Sequence, residues 1–239
     1  MTHWRSLLLL FGVLATAPAY AQEDSGTDPF EAINRPIFEF NDRLDRYVLK
    51  PTAKGYQFVM PDVAEQGVTN VFANLRDANA AVNALLQGRP GGLARAGGRF
   101  LLNSTIGMLG LFDVATPMGV ERYRTDFGHT LAIWGLPQGP YLVVPVLGSR
   151  TVRSGTGSVF DSFTSVEVNV DDAATRNTLL ALDIVNTRAR LLRSEDLISG
   201  DRYIFIRDAY LQRRRALVSD GEVDDSFSDF GEDDWDEDF

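Results

Sequence analysis

The 239-residue chain contains no cysteine. It therefore has no disulfide framework, no thiolate nucleophile and no lipidation site of the bacterial lipoprotein type. Histidine is almost as scarce, with only His3 and His129 in the whole sequence. One imidazole in the body of the chain is too few for a histidine metal site or a Cys–His dyad. No G-x-S-x-G elbow, P-loop or dinucleotide fingerprint occurs, so Gly91-Gly92 and Gly155-Thr156-Gly157 read as turn or helix-packing glycines. A basic excess is missing as well: residues 22–219 hold 22 acids and 22 bases, and residues 220–239 hold eleven acids and no base. The net charge of −10 belongs to that tail, the body is neutral, and no nucleic-acid footprint is present.

Formal charge also disappears from the middle of the chain. Residues 100–149 carry only Asp113, Glu121, Arg122, Arg124 and Asp126, and the 23 residues 127–149 carry none. That run is long enough to cross a bilayer, but Gly128, Gly135, Pro137, Gly139, Pro140, Pro145 and Gly148 break it every few residues, which excludes a single spanning helix. Broken, apolar backbone of this kind is tolerated at membrane depth only where protein buries it or where it lines a cavity. A water-soluble core gives the same pattern, so the sequence poses the question of which solvent the stretch faces.

Residues 1–21 have the features of an export signal: Arg5, an apolar run over residues 7–17, and Ala19-Tyr20-Ala21 before the expected cut. The segment places the protein in the periplasm of a Gram-negative cell. Residues 22–218 then form one domain, and residues 219–239 read as an acidic, disordered tail. Phe227, Phe230, Trp235 and Phe239 in that tail are candidates to dock on a partner, against disorder with no partner.

The body is mainly α. Asp28 caps and Pro29 opens a helix carrying Ile37, Phe40, Leu44 and Val48, ended by Pro51. Asp62 caps a long helix whose apolar stripe is Val68, Val71, Phe72, Leu75, Val82, Leu85 and Leu86, with Asn70, Asn74, Arg76, Asp77 and Asn83 on other faces; Gly88 stops it. Residues 93–102 make a further helix. Asp126 caps a short helix through Trp134, and residues 135–148 form an extended, hairpin-like loop. Ser149 caps a helix toward Phe163, Asp171 and Asp172 start a long one, and a last helix runs from about Asp201. Strand signal is confined to residues 141–146 and 166–170.

Candidate chemistry is thin. His129 lies one turn after Asp126 and could pair with it as part of a lipid hydrolase, against the commoner surface or capping histidine. Arg213-Arg214-Arg215 could meet anionic headgroups, against a solvated helix end facing the acidic tail. Amphipathic stripes of this width usually mark a soluble core. The concentration of Phe, Trp and Tyr beside Gly and Pro in the central stretch also fits helices lying in a membrane interface.

Specific residues go further. Asp28-Pro29-Phe30-Glu31, Ile33-Asn34-Arg35, Phe40-Asn41, Asp45, Tyr47 and Pro51 resemble the opening signature of the MlaA/VacJ family of outer-membrane proteins. The resemblance continues through Gln87-Gly88 with Pro90, Arg99-Phe100-Leu101-Leu102-Asn103-Ser104-Thr105-Ile106-Gly107 and Gly110-Leu111-Phe112-Asp113-Val114-Ala115. It runs on through Asp126-Phe127-Gly128, Thr130-Leu131, Trp134-Gly135, Gly139-Pro140-Tyr141-Leu142-Val143-Val144-Pro145 and Gly148-Ser149-Arg150-Thr151-Val152-Arg153. Asp201-Arg202-Tyr203 and Arg207-Asp208-Ala209-Tyr210-Leu211 complete it, in order over residues 28–215.

This resemblance implies a single-domain ring of amphipathic helices embedded in the inner leaflet of the outer membrane, with an irregular channel-lining loop. It implies a non-enzymatic phospholipid transport component that removes mislocalised phospholipid from the outer leaflet. The partners so implied are phospholipids, a trimeric outer-membrane porin and a periplasmic lipid carrier, with no metal or cofactor. By resemblance the lipid path lies beside Phe127, Gly128, Leu131, Trp134, Gly135, Gly139, Pro140, Tyr141, Leu142, Val143 and Pro145. Asp28, Pro29, Asn34, Arg35, Phe40, Asn41, Arg99, Asn103, Gly107, Asp113 and Asp126 carry motif or structural roles. Asn41, Asn74 and Asn103 would either make the lumen polar or bond helix to helix. The alternatives are a porin-bound scaffold that moves no lipid, or the hydrolase using His129. The missing cysteine departs from the family's lipid anchor, so retention falls to embedded helices and the porin.

Overall fold

The computed structural model describes residues 28–192, 195 and 200–219. The expected signal segment 1–21 and the acidic stretch from residue 220 onward lie outside them. Within them the fold is mainly α, as the periodicities require, with one short β-hairpin.

The first helix, α1 (Glu31–Leu44), begins later than expected. Pro29 sits in the preceding turn, where the Asp28 carboxylate accepts the Phe30 N–H at 2.9 Å. Pro51 does not end the rod. The chain widens into a π-helical segment, Asp45–Leu49, and runs on into α2 (Lys50–Val59) with Pro51 in its first turn. A proline in mid-helix forfeits one N–H and clashes with the carbonyl four residues back, and the widened turn offers a way round both.

Helix α3 (Asp62–Leu86) starts at Asp62 itself, with Pro61 in the capping position and no side-chain cap. Gly88, at φ +67°, ends the α3 turn as expected. Helix α4 (Pro90–Thr105) returns antiparallel along α3. Residues 106–112 then leave the helix through a turn that puts Met108 and Leu109 at φ 52° and 58°. Helix α5 (Phe127–Ile133) is capped by Asp126. The hairpin pairs β1 (Tyr141–Val144) with β2 (Gly148–Thr151), Tyr141 opposite Thr151 and Val144 opposite Gly148. Ser149 therefore lies in a strand. The cap of α6 (Val152–Thr164) is Thr151, in a reciprocal capping box with Ser154. Residues 166–170 are turns rather than a strand. Helix α7 (Ala173–Leu191) is capped by Asp172 and α8 (Arg202–Val218) by Asp201.

Burial in these helices departs from that of an ordinary water-soluble protein. Among the described residues, twelve apolar side chains are buried and seven of them are alanines. Sixteen polar or charged side chains are buried, including Asn34, Asn74, Asp77, Asn83, Arg99, Asn103 and Asn186. Phe58, Leu85, Leu101, Leu109 and Phe163 are meanwhile more than 60% exposed. On α3 the buried face combines Glu65, Thr69, Asn74, Asp77 and Asn83 with small alanines and Phe72; Val68, Val71 and Leu75 are half-buried, and Val82, Leu85 and Leu86 point outward. No described helix is long and apolar enough to cross a membrane.

Candidate functional site

The uncharged stretch is held by side chains that the apolar pattern did not single out. Asp126 caps α5 by accepting the His129 N–H at 2.8 Å, and the Arg214 guanidinium grips the same carboxylate from α8. Burial pushes the Asp126 carboxyl up, but the hydrogen bonds from Arg214 and His129 hold it below its usual range. The Arg213–Arg215 cluster is thereby divided: Arg214 is buried and paired, while Arg213 and Arg215 face out. Asp161 of α6 accepts the Phe127 N–H and the Asn83 amide at 2.9 Å, and burial pushes its carboxyl up.

Helices α5 and α6 meet backbone to backbone. A Cβ on Gly157 would lie 2.6 Å from the Gly128 Cα, and one on Gly128 would lie 3.0 Å from the Ser154 Cα. Gly128, expected beside the lipid path, is thus a packing glycine. His129 is 1% exposed, and its Nδ1 lies 3.0 Å from the Thr125 hydroxyl. Neighbouring Thr130 donates to Asn83 at 2.8 Å and accepts from Gln87 at 2.9 Å. The imidazole on α5 is thus enclosed rather than displayed at the surface.

The hairpin is fastened by two asparagines. The amide of Asn34 donates to the Tyr141 carbonyl at 3.1 Å and accepts the Val143 N–H at 2.8 Å. Seven residues along α1, Asn41 repeats the contact on the Val144 carbonyl at 3.0 Å and the Val146 N–H at 2.7 Å. Each side-chain amide stands in for a neighbouring strand. Asp28 joins this clamp, accepting from Asn34 at 2.9 Å and from the Tyr203 hydroxyl. Arg35 lies 4.7 Å over the Tyr203 ring and 2.8 Å from Asp201. Phe40, on the same helix, is exposed.

Among the path residues named by resemblance, Leu131, Tyr141 and Val143 are buried and serve packing. Trp134, Gly135, Gly139, Pro140 and Pro145 are exposed, and Phe127 and Leu142 are half-buried. Phe127 stacks on Phe160 at 4.8 Å and meets Trp134 edge-on at 5.6 Å, giving an aromatic surface that Phe163 extends. The hairpin tip is apolar and exposed at Val146 and Leu147, with Val146 at φ 67°.

A second anchored loop lies at the end of α4. Arg99, 1% exposed, donates to Asp77 at 3.2 Å, to Thr116 at 3.1 Å, to the Val120 carbonyl, and twice to Asp113 at 2.9 Å. Asn103 donates to Asp113 and accepts the Val114 and Ala115 N–H groups at 2.9 and 3.0 Å. Burial pushes the Asp113 carboxyl up, but bonds from Thr116 and Arg99 outweigh it and bring it down to about 2. Gly107 is required here because a Cβ would strike the Phe112 carbonyl. The whole assembly holds Ile106, Met108, Leu109 and Phe112 out from the body. Asn74 bonds helix to helix, donating to Ser104 at 2.8 Å. Of the three motif asparagines, only Asn74 bonds helix to helix; Asn41 bonds the hairpin and Asn103 the loop at residues 113–115. Asp161 escaped the sequence reading, and the buried roles of Asp77, Asn83 and Arg214 were hidden, because polar residues opposite an apolar stripe normally face water.

A family model described as "MlaA lipoprotein" matches residues 26–217. The "Intermembrane phospholipid transport system lipoprotein MlaA" of Escherichia coli is 34% identical over 217 residues, 88% of this chain and 86% of that one. An uncharacterized protein of Rickettsia typhi is 37% identical over 198 residues, 80% of this chain and 78% of that one. A solved structure, described as the structural basis for maintenance of bacterial outer membrane lipid asymmetry, superposes with a TM-score of 0.71 at 34% identity. It covers 80% of this chain and 99% of its own.

Proposed function

Because the chain belongs to the MlaA lipoprotein family, we propose that it is a non-enzymatic component of phospholipid transport between membranes. In this reading a ring of helices sits in the periplasmic leaflet of the outer membrane beside a trimeric porin. It withdraws phospholipid from the outer leaflet and releases it to a periplasmic carrier. The observation that carries the reading is the pattern of burial. Side chains such as Leu85, Leu101, Leu109 and Phe163 cover the exterior while amides and charges fill the interior. Apolar surface this extensive needs a non-aqueous partner, and helices too short or too polar to span can lie in the interface with one face among acyl chains.

Phospholipid passage then needs no covalent step. A headgroup in hydrocarbon loses its hydrogen bonds to water, and a path bordered by polar groups reduces that cost. The aromatic surface of Phe127, Trp134 and Phe160 and the exposed hairpin tip are the acyl-facing side of the path. The sequence contains no cysteine, whereas the matching family model and the Escherichia coli relative carry the word lipoprotein in their names; the apolar exterior and the porin are the means of retention this reading invokes. Outer-leaflet phospholipid, read with a membrane-impermeant amine-reactive label, is expected to rise in a deletion strain and to return to normal on complementation. A deletion strain with an ordinary outer leaflet, or a wild-type protein released from membranes at high pH, overturns the reading.

A further inference from the structure

One polar crevice takes no part in the contacts described above. Asp62, Glu65, Gln66 and Thr69 follow one another along the first two turns of α3, and Arg190 faces them from the last turn of α7. Together they line a cavity of about 230 Å³. Glu65 is only 6% exposed, yet its carboxylate makes no hydrogen bond and no ion pair among the described residues. The Tyr56 phenol is pushed up first by burial and then by the Glu65 charge. Arg190 is exposed and lies beyond the 4.0 Å ion-pair distance from either acid.

Acids in a first turn suit the positive end of the helix dipole. That accounts for Asp62 at the surface; Glu65 is enclosed on its other sides, and its unpaired oxygens, which are not among the buried unpartnered atoms, open into the crevice. Opposite charges that share a cavity without touching leave room for a guest bearing both signs. At about 30 Å³ per water, the space holds roughly seven or eight water-sized groups, close to the roughly eight non-hydrogen atoms of a phosphoethanolamine unit.

We propose that this crevice receives a phosphate–ammonium zwitterion, with the ammonium against Glu65 and Asp62 and the phosphate against Arg190. The three N–H donors of a primary ammonium fit acceptors set a turn apart on one helix, and Arg190 supplies the phosphate partner. A headgroup that is only anionic meets the acids as like charges, so the crevice discriminates by repulsion as well as by attraction. The proposal rests on the phospholipid-handling reading above and adds a headgroup preference to it.

The test uses the full chain purified in mild detergent with its membrane lipid, the bound lipid being identified by mass spectrometry. Wild-type protein is expected to enrich phosphatidylethanolamine over phosphatidylglycerol relative to the source membrane. Glu65→Gln, which preserves shape, should lower that ratio at least three-fold at unchanged total lipid, while Arg190→Gln lowers total lipid. An unchanged ratio and total in Glu65→Gln overturns the crevice but leaves the transport reading standing. Wild-type protein that retains no phospholipid removes the transport reading, and a titration with soluble glycerophosphoethanolamine then decides the crevice. Binding weakened about ten-fold by Glu65→Gln keeps the site and assigns it to a free zwitterion; no binding overturns it.

Discussion

Asn34 and Asn41 make the same pair of bonds to the hairpin, but their surroundings differ. Asn34 is 1% exposed, whereas the Asn41 contact with Val146 lies at the surface. Replacing Asn34 by Leu strands the Tyr141 carbonyl and the Val143 N–H away from water, at an expected cost of about 2–4 kcal/mol. Asn41→Leu exposes its partners to solvent and should cost about 1 kcal/mol or less. Thermal unfolding in detergent checks this, and equal losses would show that burial does not set the difference. Asp113 makes the pH prediction. Its folded carboxyl is depressed to about 2, so its contribution is full above the unfolded value of about 3.9 and is lost as pH falls toward 2. Asp113→Asn should flatten the stability profile between about pH 4 and pH 2. Asp77 acts in the opposite sense, since burial raises its carboxyl and protonation relieves it; an unaltered acid limb in the Asp113 variant would refute the assignment. Asn34, Asn41, Arg99 and Asp113 were visible in the sequence as motif members, but their partners were not: Arg99 and its partner Asp77, for example, are 22 positions apart.

At the scale of elements, the caps at Asp126, Asp172 and Asp201 and the stop at Gly88 were legible because each acts on its own neighbours. Pro51 was misleading for the opposite reason. A proline stops a regular helix, and nothing local announces that the preceding turn widens. The crossing of α5 on α6 was likewise hidden. Gly155 and Gly157 look alike in the sequence, yet only Gly157 faces the Gly128 backbone. Gly157→Ala forces two main chains apart and is expected to cost at least about 3 kcal/mol. Gly155→Ala meets nothing closer than the Arg150 Cβ at 3.9 Å and should be neutral or slightly stabilising. Comparative melting of the two variants measures the difference, and similar melting temperatures would show that the contact is loose.

For the molecule as a whole, periodicity located the apolar stripes and could not say which way they point. A stripe of Val82, Leu85 and Leu86 specifies a helix equally well in water or in lipid. The direction follows from which side chains are buried: α3 buries Ala73, Ala80 and Ala84 with Asn, Asp and Phe72, and turns Val82, Leu85 and Leu86 out. Leu85→Gln, which would be severe in an ordinary core, should change stability in detergent by less than about 0.5 kcal/mol. Phe72→Ala, at 2% exposure, should cost about 3–5 kcal/mol. Denaturation curves of both variants in the same detergent separate an outward-facing skin from a conventional interior. The amide-and-charge centre has a calorimetric consequence too. Hydrating greasy surface is what gives ordinary unfolding its large positive heat-capacity change, while wetting polar groups lowers it. A chain whose oily groups stay dissolved in micelle or bilayer throughout, and whose newly wetted groups are mostly amides and ions, should therefore melt with a small heat-capacity step and lose little stability on cooling.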